Sequence, residues 1–208
     1  MNKNNTYIIG LSGGTCSGKT YLSKSIQKYF GIETVNIINL DSYYYDLSHL
    51  TFKDRERNNF DHPDSFDFNL LFDDLSKIIN QNSANIPIYD YKTHTRTNRT
   101  MIIHKTKIIL IEGILTFYNK KIRNLMHLKC FLDKPSELRK KIRLNRDIEQ
   151  RARTNKSILQ QYSTTVEPMY IKYIKETKKY ADLVIKEDTI VNSNALGILC
   201  EEINKILN

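Results

Sequence analysis

Cysteine is scarce in the 208-residue chain: only Cys16, Cys130 and Cys200 occur. An odd number without metal-site spacing argues against a disulfide framework or a cysteine-ligated metal, and fits reduced thiols in a cytoplasmic setting. Long hydrophobic runs are also missing. The apolar stretch Ile108–Ile111 is cut by Glu112, far short of the roughly 20 residues that a membrane helix needs. Met1-Asn2-Lys3-Asn4-Asn5 has no apolar region suited to secretion. No internal repeat, linker or low-complexity block interrupts the chain, so a single domain over residues 1–208 is expected.

Acidic residues are outnumbered: 23 Asp and Glu against 32 Lys and Arg leave a net charge of +9. Nucleic acid, an anionic small substrate and codon bias compete to explain it; abundant Lys, Asn and Ile together suggest an AT-rich genome. The excess is uneven. Residues 139–156 hold Arg139, Lys140, Lys141, Arg143, Arg146, Arg151, Arg153 and Lys156 against Asp147 and Glu149, a local +6. So focused a patch suits a phosphate clamp better than a general nucleic-acid surface.

What the chain does have is Gly13-Gly14-Thr15-Cys16-Ser17-Gly18-Lys19-Thr20, a full match to G-x-x-x-x-G-K-[ST]. The apolar run Tyr7–Leu11 before it reads as a buried strand. After it, Leu22, Ile26, Tyr29 and Phe30 fall at helical spacing. Backbone N–H groups of such a loop turn inward around phosphate oxygens, and the helix N-terminus adds its positive end. Lys19 is expected on the β/γ-phosphates and Thr20 on Mg²⁺. The loop implies a nucleoside triphosphate.

Periodicity predicts strand 6–11, helix 19–30, strand 34–40, a long polar and aromatic loop over 42–66, and helix 67–80. A β-hairpin insertion over about 86–105, strand 107–111, helix 118–126 and strand 128–133 follow. Pro135 suits the first turn of a helix running to about 151. A helix over 156–177, bent at Pro168, strand 182–186 and helix 194–207 complete the chain. Alternation of this kind predicts an α/β fold, a parallel sheet covered by helices on both faces, with ligands at the carboxyl ends of the strands.

Gly13–Thr20, Asp41 and Glu112 all fall at such ends. Asp41 suits the acceptor of a hydroxyl proton, or equally an Asx turn. Glu112 suits Mg²⁺, directly or through water, rather than merely closing a strand. Arg139, Arg143 and Arg146 share a helix face and Arg151 and Arg153 follow, which reads as an Arg-rich lid over about 139–156 or as a solvated basic face. Tyr43–Tyr45, Phe60, Tyr89 and Tyr91 lie in polar stretches of poor periodicity, where stacking on a flat base is more attractive than a core role. His94 alone reads as a surface histidine. GTPase signatures are missing: Asn119-Lys120-Lys121-Ile122 lacks the closing Asp, and Ile111-Glu112-Gly113 stands in place of the switch.

Over nearly its whole length the chain resembles the uridine kinase (uridine–cytidine kinase) family of P-loop nucleoside kinases. The resemblance rests on Leu40-Asp41-Ser42-Tyr43-Tyr44, Asn59-Phe60-Asp61-His62-Pro63-Asp64, Tyr89-Asp90-Tyr91 with His94-Thr95-Arg96, Ile111-Glu112-Gly113, Arg143–Arg153 and Thr177–Asp182. It implies transfer of phosphate from ATP or GTP to the 5′-hydroxyl of uridine and cytidine. Asp41 matches the general base, Thr20 and Glu112 the Mg²⁺ site, and Asp61 and Arg143 the ribose hydroxyls. Tyr89 and His94 match pyrimidine readers, Tyr44 and Gln161 further nucleoside contacts, and Phe60 and Tyr91 aromatic walls. Arg146, Arg151 and Arg153 match phosphate-side lid positions. Cys16 stands where relatives commonly carry Ala, which implies block of nucleotide entry by thiol reagents. Tetramers with CTP and UTP feedback are common in the family. The rival readings are a phosphoribulokinase- or pantothenate-kinase-like enzyme, a non-catalytic nucleotide-binding module, and a basic RNA-binding protein.

Overall fold

The computed structural model describes residues 6–151, 153–186 and 194–207. Its main sheet has five parallel strands. In spatial order they are β2 (Val35–Asn39), β5 (Ile108–Glu112), β1 (Tyr7–Gly13), β6 (Leu128–Asp133) and β7 (Leu183–Lys186). Strand alternation divides the core in two. Ile9, Leu11, Ile108, Leu110, Cys130 and Leu132 face one side, where they meet Leu22 and Ile26 of α1 (Lys19–Phe30) and Leu199 and Ile203 of the last helix (Ala195–Leu207). Ile8, Ile109, Ile111 and Phe131 face the other, against Leu71, Leu75 and Ile78 of a helix over Phe68–Gln81. Helices thus cover both faces, as the alternating pattern predicts. Among the described residues, no helix is long and apolar enough to cross a membrane.

The hairpin forms its own two-stranded sheet, β3 (Ser83–Asp90) with β4 (Thr95–His104), and has a register shift between Pro87 and Tyr89. Ala84, Ile86, Tyr89 and Ile103 join it to the second core. The loop over 42–66 is less open than its polarity suggested. It contains α2 (Phe52–Glu56), capped by Thr51, and a 3₁₀ turn at Pro63–Ser65. Tyr43, read as a loop aromatic, is instead a fully buried core residue whose hydroxyl donates to Asp74 (3.3 Å).

The helix predicted over 118–126 shortens to α4 (Lys120–Asn124), capped by Asn119. Pro135 lies just before the helix it was expected to open: α5 is Ser136–Arg151, and the Pro135 carbonyl accepts from the Arg139 N–H. The expected single bend at Pro168 is also corrected. α6 (Asn155–Gln161) passes into a π-helical turn at Tyr162–Val166, a short α segment at Glu167–Met169, a second π-helical turn at Tyr170–Ile174 and a 3₁₀ stretch to Tyr180. A proline has no N–H for the ladder, and the wider turns flanking it absorb the mismatch.

One close approach fixes the geometry of the cleft. A Cβ on Gly113 would lie 2.4 Å from the Cβ of Leu40, so only glycine lets the end of β5 pack beside the residue preceding Asp41. Gly113→Ala is therefore expected to cost about 1–3 kcal/mol through overpacking; a urea midpoint unchanged from the parent protein would contradict this packing argument.

Candidate active site

At the carboxyl edge of the sheet the chain leaves β1 through the phosphate-loop motif and enters α1. Gly13 and Gly18 take φ values of +147° and +101°, and Cys16 adopts φ +58°, a left-handed conformation rare for a residue with a side chain. Gly14 lies against the Arg139 guanidinium, which a Cβ would meet at 2.6 Å. Lys19 is nearly fully buried, and its ammonium donates to the carbonyls of Gly13 and Gly14, both at 2.9 Å. Burial pulls its pKa below the usual lysine range, while Glu112 and Asp41 oppose that shift.

Thr20 Oγ1 donates to Glu112 Oε1 across 2.9 Å. Glu112 ends β5 between Leu11 and Asn39 of its neighbours. Burial pushes its carboxyl above the usual range, against the pull of Lys19. Asp41 lies in the 3₁₀ turn at Leu40–Tyr43 after β2; the turn is capped by Asn39, which accepts from the Asp41 N–H at 2.9 Å. The Tyr91 hydroxyl donates to Asp41 Oδ2 at 3.3 Å. The Asp41 charge is felt at Lys19, Tyr44, Asp61, Tyr89, Glu112 and Arg146. Asp41 is therefore at the meeting point of the phosphate loop and the aromatic residues.

Those aromatics form a box. Tyr44 and Tyr89 are buried, with ring centroids 5.1 Å apart, and Phe60 stands edge-on to Tyr44 at 5.1 Å. His94, with φ +54° in the hairpin turn, stacks on Phe60 at 5.0 Å. Tyr91 is half exposed and meets Tyr89 edge-on. Among the described residues the buried Tyr89 hydroxyl has no hydrogen-bond partner. Asp61 is buried beside the box; burial raises its carboxyl pKa, and Arg143 opposes this.

The arginines are held by a residue that sequence reasoning had counted only as an acid in a basic run. Asp147 is fully buried. It accepts from Arg146 Nε at 2.9 Å, and Arg143 and Arg153 each approach its other oxygen at 3.5 Å. Its place four residues after Arg143 and beside Arg146 was the available signal. Arg143 also donates to Thr15 Oγ1 (3.2 Å) and to Gln161 Oε1 (3.0 Å), and Arg153 donates to the same Gln161 oxygen at 2.6 Å. Gln161, expected at the nucleoside, thus uses its carbonyl to join two arginines. Arg139 is buried over the Tyr170 ring, with Cζ 3.8 Å from the centroid, and pairs with Glu167 at 3.2 Å. It braces the phosphate loop from behind. The Arg151 side chain lies outside the described residues.

Residues 8–192 match the model of the phosphoribulokinase / uridine kinase family. The chain belongs to that family. It is 41% identical over 201 residues to a uridine kinase of Streptococcus agalactiae serotype V, covering 97% of this chain and 96% of the relative. A uridine kinase of Streptococcus pneumoniae is 40% identical over 205 residues, covering 99% and 96%. The fold is similar to phosphoribulokinase from Rhodobacter spheroides, with TM-score 0.65 at 13% identity, over 91% of this chain and 73% of that one.

Two outcomes follow from the buried charges. Glu112 has a folded-state pKa above its unfolded value, so its contribution to stability is present at low pH and is lost as pH rises through the folded pKa. Glu112→Gln, which mimics the protonated form, is expected to raise the urea midpoint at pH 8 while lowering kcat at least about a hundredfold; a lowered midpoint would contradict the sign. Asp147→Ala removes the carboxylate shared by three guanidinium groups and is expected to destabilise the fold by about 3 kcal/mol, read by chemical denaturation. Wild-type stability in that variant would show that the arginines are held by other contacts.

Proposed function

We propose that the chain phosphorylates the 5′-hydroxyl of uridine and cytidine, with ATP or GTP as donor. The observation that carries this reading is the position of Asp41, which follows the strand beside Glu112 and accepts from the Tyr91 hydroxyl of the hairpin at 3.3 Å, with its charge also reaching Lys19 of the phosphate loop. Phosphoryl transfer needs an acceptor hydroxyl held in line with the γ-phosphorus and cations around the transferring group. A nucleoside held by the box, with its ribose hydroxyls on Asp61 and Arg143, presents its 5′-oxygen to Asp41.

Asp41 accepts the hydroxyl proton as the 5′-oxygen bonds to the γ-phosphorus. The bond from that phosphorus to the bridging oxygen breaks, leaving the nucleoside diphosphate. Lys19, Arg146 and Arg153 balance the negative charge spread over the transferring oxygens. The backbone N–H groups of Gly13–Thr20 hold the remaining phosphates. Thr20 and Glu112 offer two hard oxygens 2.9 Å apart, a donor set that suits Mg²⁺, which takes few protein ligands beside water and phosphate. When bound, Mg²⁺ would supply charge neutralisation for the transferring phosphate. Arg143, Arg146 and Arg153, tied together through Asp147, exclude water from the transfer.

The assay that tests this reading offers Mg-ATP with uridine, cytidine, their 2′-deoxy forms and pantothenate. Transfer to both ribonucleosides is expected. The 2′-deoxy forms should lose at least about tenfold in kcat/KM, because they leave a buried partner of the 2′-hydroxyl unpaired. Transfer to pantothenate and to no nucleoside would sink the proposal.

A further inference from the structure

The short helix α2 approaches the aromatic box from outside. None of its residues is buried, yet two of them reach the hairpin turn. The Phe52 ring lies 6.1 Å from His94, on which Phe60 also stacks. Arg55 Nη1 donates to the Thr93 carbonyl at 2.6 Å, and Thr93 precedes His94. Its guanidinium lies 5.9 Å from the Phe52 ring centroid.

Two buried polar atoms at this end of the box, Arg55 Nε and the Tyr89 hydroxyl, have no hydrogen-bond partner among the described residues. They do not satisfy each other, although the Arg55 charge is felt at the Tyr89 hydroxyl. Burial first of all, with Asp41 and Asp46 adding to it, holds the Tyr89 phenol above its ordinary range, so it stays neutral and keeps its proton. A buried donor left unpaired is costly, and an acceptor on a ligand bound in the box would satisfy it.

We propose that Arg55 is a specificity-determining residue of the pyrimidine pocket and that it selects uracil over cytosine. The inference rests on the nucleoside-kinase reading above. Uracil presents a carbonyl oxygen at position 4, an acceptor; cytosine presents an amino group there, a donor. A neutral phenol donates or accepts, so Tyr89 serves either base. A guanidinium has donors only. Beside uracil it gains an acceptor, whereas beside cytosine a positively charged donor faces another donor. Arg55 thereby breaks the tie that Tyr89 leaves.

The test measures kcat/KM for uridine and for cytidine with Mg-ATP, using the full chain, Arg55→Gln and Arg55→Lys. The wild type is expected to favour uridine by about tenfold or more, the size of one charge-assisted hydrogen bond. Arg55→Gln, whose amide both donates and accepts, should bring the ratio near one; Arg55→Lys, which keeps a cationic donor, should keep uridine ahead. A purely structural role through Thr93 would lower both nucleosides in proportion, and that result would overturn the proposal. So would a wild type that takes cytidine as readily as uridine, a result that needs no variant to fold. Transfer to neither nucleoside would instead overturn the functional reading itself.

Discussion

Burial of opposite charges in a single cleft is the constraint on which this structure depends. Lys19, Glu112 and Asp61 are almost wholly removed from water, and burial works against the charged form of each. Each is partly compensated by the next: Lys19 by Glu112 and Asp41, and Asp61 by Arg143. Neutralising a member therefore removes its own desolvation cost and, with it, part of the compensation that its neighbour receives. The parallel order of the sheet makes this possible. With β1 between β5 and β6, the phosphate loop, Glu112 and the base of α5 come out side by side, and β2 next to β5 adds Asp41.

The second half of the site is built from outside the sheet. The hairpin contributes Tyr89, Tyr91 and His94, the 42–66 segment contributes Tyr44, Phe60 and Asp61, and α5 reaches back through Arg143 to Thr15. Asp147 connects the arginines to one another and Gln161 connects them to α6. The phosphate side and the nucleoside side therefore share supports. A change that moves α5 is felt in both, which suits a reaction that needs two substrates in line.

Much of this was legible in the sequence, for reasons that differ between elements. The strands at Ile108–Glu112 and Leu128–Asp133 are continuous apolar runs because both faces of a parallel sheet are covered. The phosphate loop is legible because its chemistry demands glycine and lysine at fixed spacing. Tyr43 was misread since it opens the run Tyr43–Tyr45 in a polar stretch with no periodicity to reveal which tyrosine faces Asp74 and the core. The π-helical turns on either side of Pro168 escaped notice because side-chain pattern does not register a shift in hydrogen-bond ladder. Asp147 showed itself only as an acid four residues after Arg143, and neither its approach to Arg153 nor the contact of Arg55 with the Thr93 carbonyl leaves a sign in one sequence.

The central claim is that Asp41 joins a phosphate site to a nucleoside site within one cleft and accepts the proton of the attacking hydroxyl. Phosphorus NMR of the protein with Mg-ATP and uridine tests it most directly, with Asp41→Asn beside the wild type and ATP affinity measured for both. The account predicts a growing 5′-UMP resonance as the γ-phosphate signal declines, and its loss in Asp41→Asn despite undiminished ATP binding. Unchanged 5′-UMP formation by Asp41→Asn, or ATP binding by the wild type with no 5′-UMP formed, would contradict it.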